Sequence, residues 1–139
     1  VDMVVYKKYD VKNRLVNERL YAGTNVSYEY DANDNKTKAT YSDGLIMTWK
    51  FEGNNRVRSD SSLGAWEKWE YDSENRLIHE ETSQGANNRW VYGGNGKLLE
   101  YWCWDMWKKF IFDDITGKLL RIEYSDGTQI ERETPYCRF

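Results

Sequence analysis

At 139 residues, with 31% charged and a net charge of -3, the chain is long enough for one domain with its own core but carries no basic run of the kind that binds nucleic acid directly. Aromatic residues make up 16% (seven Trp, eleven Tyr, four Phe), which excludes the aromatic-poor composition of a disordered chain despite a mean hydropathy of -0.90. No window approaches the ~20 apolar residues of a membrane helix and no signal-peptide pattern opens the chain, so the expectation is a soluble, cytoplasmic protein with no membrane partner.

In chain order, one pattern returns six times. Its anchor is an aromatic at Tyr9, Tyr30, Phe51, Tyr71, Tyr92 and Phe112, at successive intervals of 21, 21, 20, 21 and 20 residues. Two residues before the anchor stand Tyr28, Trp49, Trp69, Trp90 and Phe110; the first repeat has Lys7 there. After the anchor comes an acidic or small residue (Asp10, Asp31, Glu52, Asp72, Gly93, Asp113), then a turn residue (Asn13, Asp34, Asn55, Asn75, Gly96, Gly117). A basic and an apolar residue usually follow, as in Arg14-Leu15, Arg56-Val57, Arg76-Leu77, Lys97-Leu98 and Lys118-Leu119; repeat 2 departs with Asn35-Lys36. A second glycine closes most repeats (Gly23, Gly44, Gly64, Gly85, Gly127), whereas repeat 5 has Asp105 in that region.

Two turn signals per period leave two runs of ordinary strand length, and Asn or Gly supplies the positive φ of a tight hairpin turn. Each repeat is therefore expected to be a β-hairpin, with repeats beginning near residues 7, 28, 49, 69, 90 and 110 of a single domain spanning 1–139. The paired aromatics at i and i+2 project from one face, so stacked hairpins would align them in rows. The predicted fold is all-β: about twelve strands in an antiparallel meander, closed as a curled sheet, a barrel or a capped stack. Punctuation every ten residues or so leaves no room for helices.

The motif in KKYDVKNRL (7–15), YEYDANDNK (28–36), WKFEGNNRV (49–57), WEYDSENRL (69–77), WVYGGNGKL (90–98) and FIFDDITGKL (110–119) resembles the YD-repeat of the RHS family. That resemblance implies kinship with very large bacterial polymorphic toxins, whose YD-repeats wind into a β-sheet shell around a C-terminal toxin domain. The chain departs from that pattern: it has six repeats, no toxin domain follows them, and Asn13, Asn55 and Asn75 stand where a turn glycine is usual. The resemblance implies either a fragment of a shell or a small free-standing protein of the same repeat, such as the immunity proteins that accompany toxins.

Catalytic groups are scarce. His79 is the only histidine, beside Glu80 and Glu81 on a strand with no nucleophile in a strained turn nearby, and the recurrent Asp after each anchor is explained by turn chemistry. Cys103 and Cys137 fit no metal spacing and are read as buried thiols or as a disulfide tying down the C-terminus. GGNG at 93–96 is a hairpin turn without a following helix. The sequence thus predicts no enzyme activity, cofactor or metal.

The strongest departure from the repeat is LLEYWCWDMWKK, residues 98–109. Read as one continuous return strand, it places Trp102, Trp104 and Met106 on one face and Tyr101, Cys103, Asp105 and Trp107 on the other. It forms either a locally thick core or a recognition patch, since Trp and Tyr within a polar rim dominate interface energetics. The candidate partner-binding residues are Trp102, Trp104, Asp105 and Trp107, with Glu80, Glu81 and Asp60, joined by Glu18, extending a negative surface. The first expectation is an immunity protein that blocks the active site of a contact-dependent toxin, a basic nuclease domain being the partner its acidity suits. The alternatives are a structural segment of a larger RHS-type shell, or a carbohydrate-binding β-domain in which Trp102, Trp104 or Trp107 stacks on sugar rings. TPYCRF at 134–139 breaks the period at Pro135, which predicts that no seventh repeat starts there.

Overall fold

A computed structural model describes residues 4–130, with side chains from Tyr6 onward; Pro135 and Cys137, and with them the array-ending segment and the Cys103–Cys137 disulfide, lie outside the described residues. The strands are β1 (Val4–Tyr9), β2 (Leu15–Leu20), β3 (Asn25–Tyr30), β4 (Lys36–Tyr41), β5 (Ile46–Glu52), β6 (Asn55–Ser61), β7 (Trp66–Tyr71), β8 (Leu77–Thr82), β9 (Asn87–Tyr92), β10 (Leu98–Cys103), β11 (Met106–Phe112), β12 (Leu119–Tyr124) and the short β13 (Gln129–Ile130). Among the described residues they form one antiparallel sheet in chain order, an open meander without helices. Contacts group into two compact units, residues 1–68 and 69–139, dividing inside β7.

The first turn of a repeat follows directly from its Asp. The Asp10 amide donates to the Arg14 carbonyl (2.9 Å), and the Asn13 amide donates to the Asp10 carbonyl (3.0 Å). Asn13 sits at φ 62°, the left-handed conformation Asn tolerates better than most residues. Asp10 Oδ1 accepts from the amides of Lys12 (2.9 Å) and Arg14 (3.0 Å), and Asp72 Oδ1 does the same for Glu74 (2.9 Å) and Arg76 (3.0 Å). Asp31 repeats the arrangement with Asn33 and Asn35, while Asp113, in a turn one residue longer, accepts from the amides of Ile115 and Thr116, two and three residues on.

These donors hold the carboxyls of Asp10, Asp72 and Asp113 below their ordinary range, led by the amides of Arg14, Arg76 and Thr116 respectively. At Asp31 desolvation is the largest influence and acts upward, yet the hydrogen bonds from Asn35 and Asn33 outweigh it.

Two turns are one residue shorter, and they account for the two 20-residue intervals. In repeat 3, Glu52 pairs with Asn55 across Gly53-Asn54, so Asn55 opens β6 rather than forming the turn, and Gly53 takes φ 59°. In repeat 5, Cys103 pairs with Met106 across Trp104-Asp105.

A bulge recurs beside the anchor. Pairing skips Val16 between β1 and β2, Thr37 between β3 and β4, Val57 between β5 and β6, Leu99 between β9 and β10, and Leu120 between β11 and β12. Each bulge raises the local right-handed twist of its hairpin. It also sets the anchor opposite the apolar member of the basic-apolar pair in Tyr9↔Leu15, Tyr92↔Leu98 and Phe112↔Leu119.

The aromatic rows lie on the buried face. In the first compact unit, Tyr28 pairs with Ala39 and Trp49 with Ser59, so small buried residues receive large rings; Val26 is buried in the same row. In the second, Phe110, Ile122 and Tyr124 form the core, with Leu98, Tyr101, Phe112, Leu119 and Ile130 packed against them. Lys108 is buried there too, its Nζ 5.6 Å from the Tyr101 ring centre and 5.3 Å from that of Phe110, which offsets part of the desolvation of its charge.

Candidate recognition surface and the contacts between repeats

The aromatic run of repeat 5 is two strands joined by a turn, not one strand. Because β10 ends at Cys103 and β11 begins at Met106, Trp102 and Trp107 face each other directly across the hairpin, on the same face. Their rings are 6.3 Å apart at 48°, and Tyr101 occupies the opposite face, 5.5 Å from Trp90. The alternation of a continuous strand does not hold here because Trp104-Asp105 is a turn, one that has no glycine to mark it.

Trp102 Nε1 donates to Glu100 Oε2 (2.9 Å), Glu100 pairs with Lys109 (3.6 Å), and the Lys109 ammonium lies 4.7 Å over the Trp107 ring. Trp104 stands at the position occupied by Ser42, Ser62 and Ser125 in other repeats, as its amide shows: it donates to Asn87 O (2.8 Å), as Ser42 does to Asn25 and Ser62 to Ile46. Unlike those serines it has a positive φ of 57°, a conformation costly for a residue with Cβ. Trp104 is 59% exposed, and its Nε1 donates to the Gly85 carbonyl of the preceding turn. Asp105 is exposed beside it.

The candidate acids are dispersed over different environments. Neighbours on a strand point to opposite faces. Glu80 accepts from Trp69 Nε1 (3.3 Å) and Asn88 Nδ2 (3.2 Å) on the aromatic face. Glu81 stands on the other, with its Oε1 3.5 Å from His79 Nε2; Glu70 Oε1 is 3.5 Å from His79 Nδ1. His79 Nε2 also meets Asn87 Oδ1 at 3.0 Å.

In the first compact unit, Asp60 accepts from Arg58 Nε and a terminal guanidinium nitrogen, both at 2.6 Å. These bonds lower the Asp60 carboxyl and raise the Arg58 guanidinium. Glu18 accepts from the Tyr28 hydroxyl, whose proton is held tightly, by desolvation first and by the Glu18 carboxylate second. The structure thus brings together Trp102 with Trp107, and Trp104 with Asp105. Glu18, Asp60 and Glu80 are engaged with partners of their own.

A second set of contacts joins successive repeats. Arg14 Nε donates to Asp10 Oδ2 (2.8 Å) within repeat 1, and its guanidinium lies 4.8 Å over the Tyr30 ring of repeat 2. Another nitrogen of Arg14 reaches Asp34 in the next turn (2.8 Å), and the Tyr30 hydroxyl donates back to the Leu15 carbonyl (2.6 Å). Between repeats 4 and 5 the parts recur: Arg76 Nε to Asp72 Oδ2 at 2.8 Å, guanidinium 4.6 Å over Tyr92, and Tyr92 hydroxyl to Leu77 O at 3.1 Å. Between repeats 5 and 6, Lys97 lies 4.6 Å over Phe112 and donates to Gly117 O.

This clasp gives the YD signature a physical meaning. The Asp orients the basic residue, the basic residue caps the next anchor, and the apolar residue supplies the carbonyl. Repeats 2 and 3 deviate where their sequences do. Lys36 lies 3.9 Å over Tyr28 of its own repeat, while Asn35 reaches Gly53 O (2.8 Å), and Arg56 covers Trp49 and Phe51 of its own repeat. The signal was present in the sequence as a fixed step of 16 residues from Arg14 to Tyr30 and from Arg76 to Tyr92.

Residues 9–46 match the family model described as RHS Repeat. A sequence search of curated proteins finds no match. Among solved structures, the chain is similar to the TcdB2-TccC3-Cdc42 crystal structure, with TM-score 0.65 and 13% identity over 84% of this chain and 7% of that one. It resembles TcdB2-TccC3 without its hypervariable C-terminal region to the same extent (TM-score 0.66, 13% identity, 84% and 7%). The Photorhabdus luminescens Tc holotoxin pore matches at TM-score 0.57 and 11% identity, over 88% of this chain and 9% of that one. The likeness is one of fold, and the chain spans less than a tenth of those proteins' length.

Proposed function

We propose that this chain, which carries RHS repeats, is a structural segment of a larger RHS-type β-shell. The observation that supports this most is the clasp. It is directional: repeats 1 and 4 offer a basic residue and a carbonyl forward to the ring and hydroxyl of the next anchor, and repeat 5 offers Lys97 to Phe112, so it extends an array rather than closing one. The open strand order and the fold likeness to TccC3-containing structures point the same way.

The alternative of a free-standing inhibitor that blocks a toxin rests on the sequence resemblance, the scarcity of catalytic groups and the acidity of the chain. Its candidate acids are largely occupied within the fold, and the net charge of -3 provides weak steering toward a basic nuclease.

Intact-mass measurement of the polypeptide purified from its natural source separates the two. A shell segment is recovered within a longer chain containing further repeats. A mature species of 16.6 kDa that binds a toxin with defined stoichiometry overturns the proposal.

A further inference from the structure

Tyr30, Phe51, Tyr71, Tyr92 and Phe112 are all partly buried, while Tyr9 is 49% exposed. Among the described residues, none lies over the Tyr9 ring as Arg14 lies over Tyr30, and none accepts from its hydroxyl as Leu15 accepts from Tyr30. Lys7, two residues before it, occupies the place of Tyr28, whose hydroxyl reaches back to Glu18 of the preceding return strand. Tyr9 thus presents the ring and hydroxyl that Tyr30 and Tyr92 use in a clasp, with Lys7 beside it on the same face.

We infer that the β1 edge is a docking site for the return strand of one further YD-type repeat, supplied by the same polypeptide upstream. The chemistry of that strand follows from translating the existing contacts by one period. A basic residue 16 positions before Tyr9 caps its ring, as Arg14 caps Tyr30 and Arg76 caps Tyr92. The apolar residue after it presents a carbonyl to the Tyr9 hydroxyl. A carboxylate three residues beyond that, at the place of Glu18, meets the Lys7 ammonium. Lys7 already stands opposite Glu18 across β1 and β2, so a carboxylate on the docking strand flanks the ammonium from its other side. Backbone pairing along β1 supplies affinity, and these three side-chain contacts set the register.

This inference rests on the shell-segment reading, and one experiment separates the two. A copy of residues 64–85 is joined to Met3 in place of Val1 and Asp2, which keeps the 21-residue phase. It places a second Arg76, Leu77 and Glu80 opposite Tyr9 and Lys7. Amide hydrogen exchange in β1 is compared in this protein, in the unextended chain, and in extended variants carrying Arg76→Ala in the copy, Tyr9→Phe, or Glu80→Gln in the copy.

The expected result is exchange in β1 slowed by about tenfold or more on extension, the factor one hydrogen bond and one cation-π contact together produce. Arg76→Ala in the copy removes most of this protection, and Tyr9→Phe or Glu80→Gln a part of it. Equal protection in all variants overturns the clasp at Tyr9 while leaving the shell-segment reading intact. No protection from any added repeat overturns both.

Discussion

Replacing Trp104 tests the local geometry most sharply, because alanine and glycine should change places in their usual order. Trp104 is 59% exposed, so about two-fifths of a side chain that buries up to ~250 Å² is covered, or ~100 Å². At ~25 cal/mol per Å², Trp104→Ala costs about 2.5 kcal/mol, with a smaller addition for the exposed hydrogen bond to Gly85. Both substitutions lose the indole equally. Glycine alone is relieved of the left-handed conformation at φ 57°, worth ~1–2 kcal/mol, against ~0.4–1 kcal/mol for its freer unfolded chain. Trp104→Gly should therefore be the more stable of the two by about 1 kcal/mol, whereas glycine in an ordinary strand is worse than alanine by ~0.5–1 kcal/mol. Urea unfolding followed by far-ultraviolet circular dichroism, which the lost indole disturbs little, reads the difference. If alanine proves equal to or more stable than glycine, Trp104 does not hold the two-residue turn described here, and its place in the hairpin is wrong.

Further expectations concern other parts of the fold. Tyr30→Phe removes the hydroxyl that reaches Leu15 O and should cost about 1 kcal/mol in urea unfolding, with no change in secondary structure. Gly44→Ala forces a Cβ into φ 97° and should destabilise by ~1–2 kcal/mol, while Gly94→Ala, with negative φ and open space around it, should be neutral within ~0.5 kcal/mol; thermal melts of both distinguish the sites. Acid should act through the turns. Asp10, Asp31, Asp72 and Asp113 have native carboxyls lowered from the unfolded value, so their contribution is complete above about pH 4 and is lost as pH falls through the depressed native values. A stability titration should thus decline below about pH 4, and replacing Asp72 by Asn should flatten that decline; an unchanged slope would refute the link to the turns.

The hairpin period was legible because its determinants are local. Asp caps the amides two and four residues on, Asn or Gly provides positive φ, and aromatics at i and i+2 share a face, so the strands follow from short-range chemistry. The two shortened turns were not legible. Gly53-Asn54 lies next to Asn55, which fits the repeat's turn position better by type, and Trp104-Asp105 has no residue that marks a turn at all. A strand running straight through Trp104-Asp105 puts Trp102 and Trp107 on opposite faces, whereas the two-residue turn returns them to one.

The clasps were hidden for a different reason. They join residues about sixteen apart across two hairpins, and the sequence shows their spacing without showing that Arg76 and Tyr92 meet. The candidate acids looked like one negative surface because strand sequence lists Glu80 and Glu81 together, while the pleat separates them. Glu80 is drawn to Trp69 and Asn88, and Glu81 to the side of His79.

The most direct test of an open, extendable array is residue-resolved hydrogen exchange of the isolated chain by nuclear magnetic resonance. β3 is bonded on both sides, by β2 and β4, and its amides should be protected throughout. β1 pairs with β2 alone among the described strands, so alternate amides should exchange near the rate of unstructured chain. Uniform protection along β1, equal to that of β3, would show an edge already covered and would contradict the account.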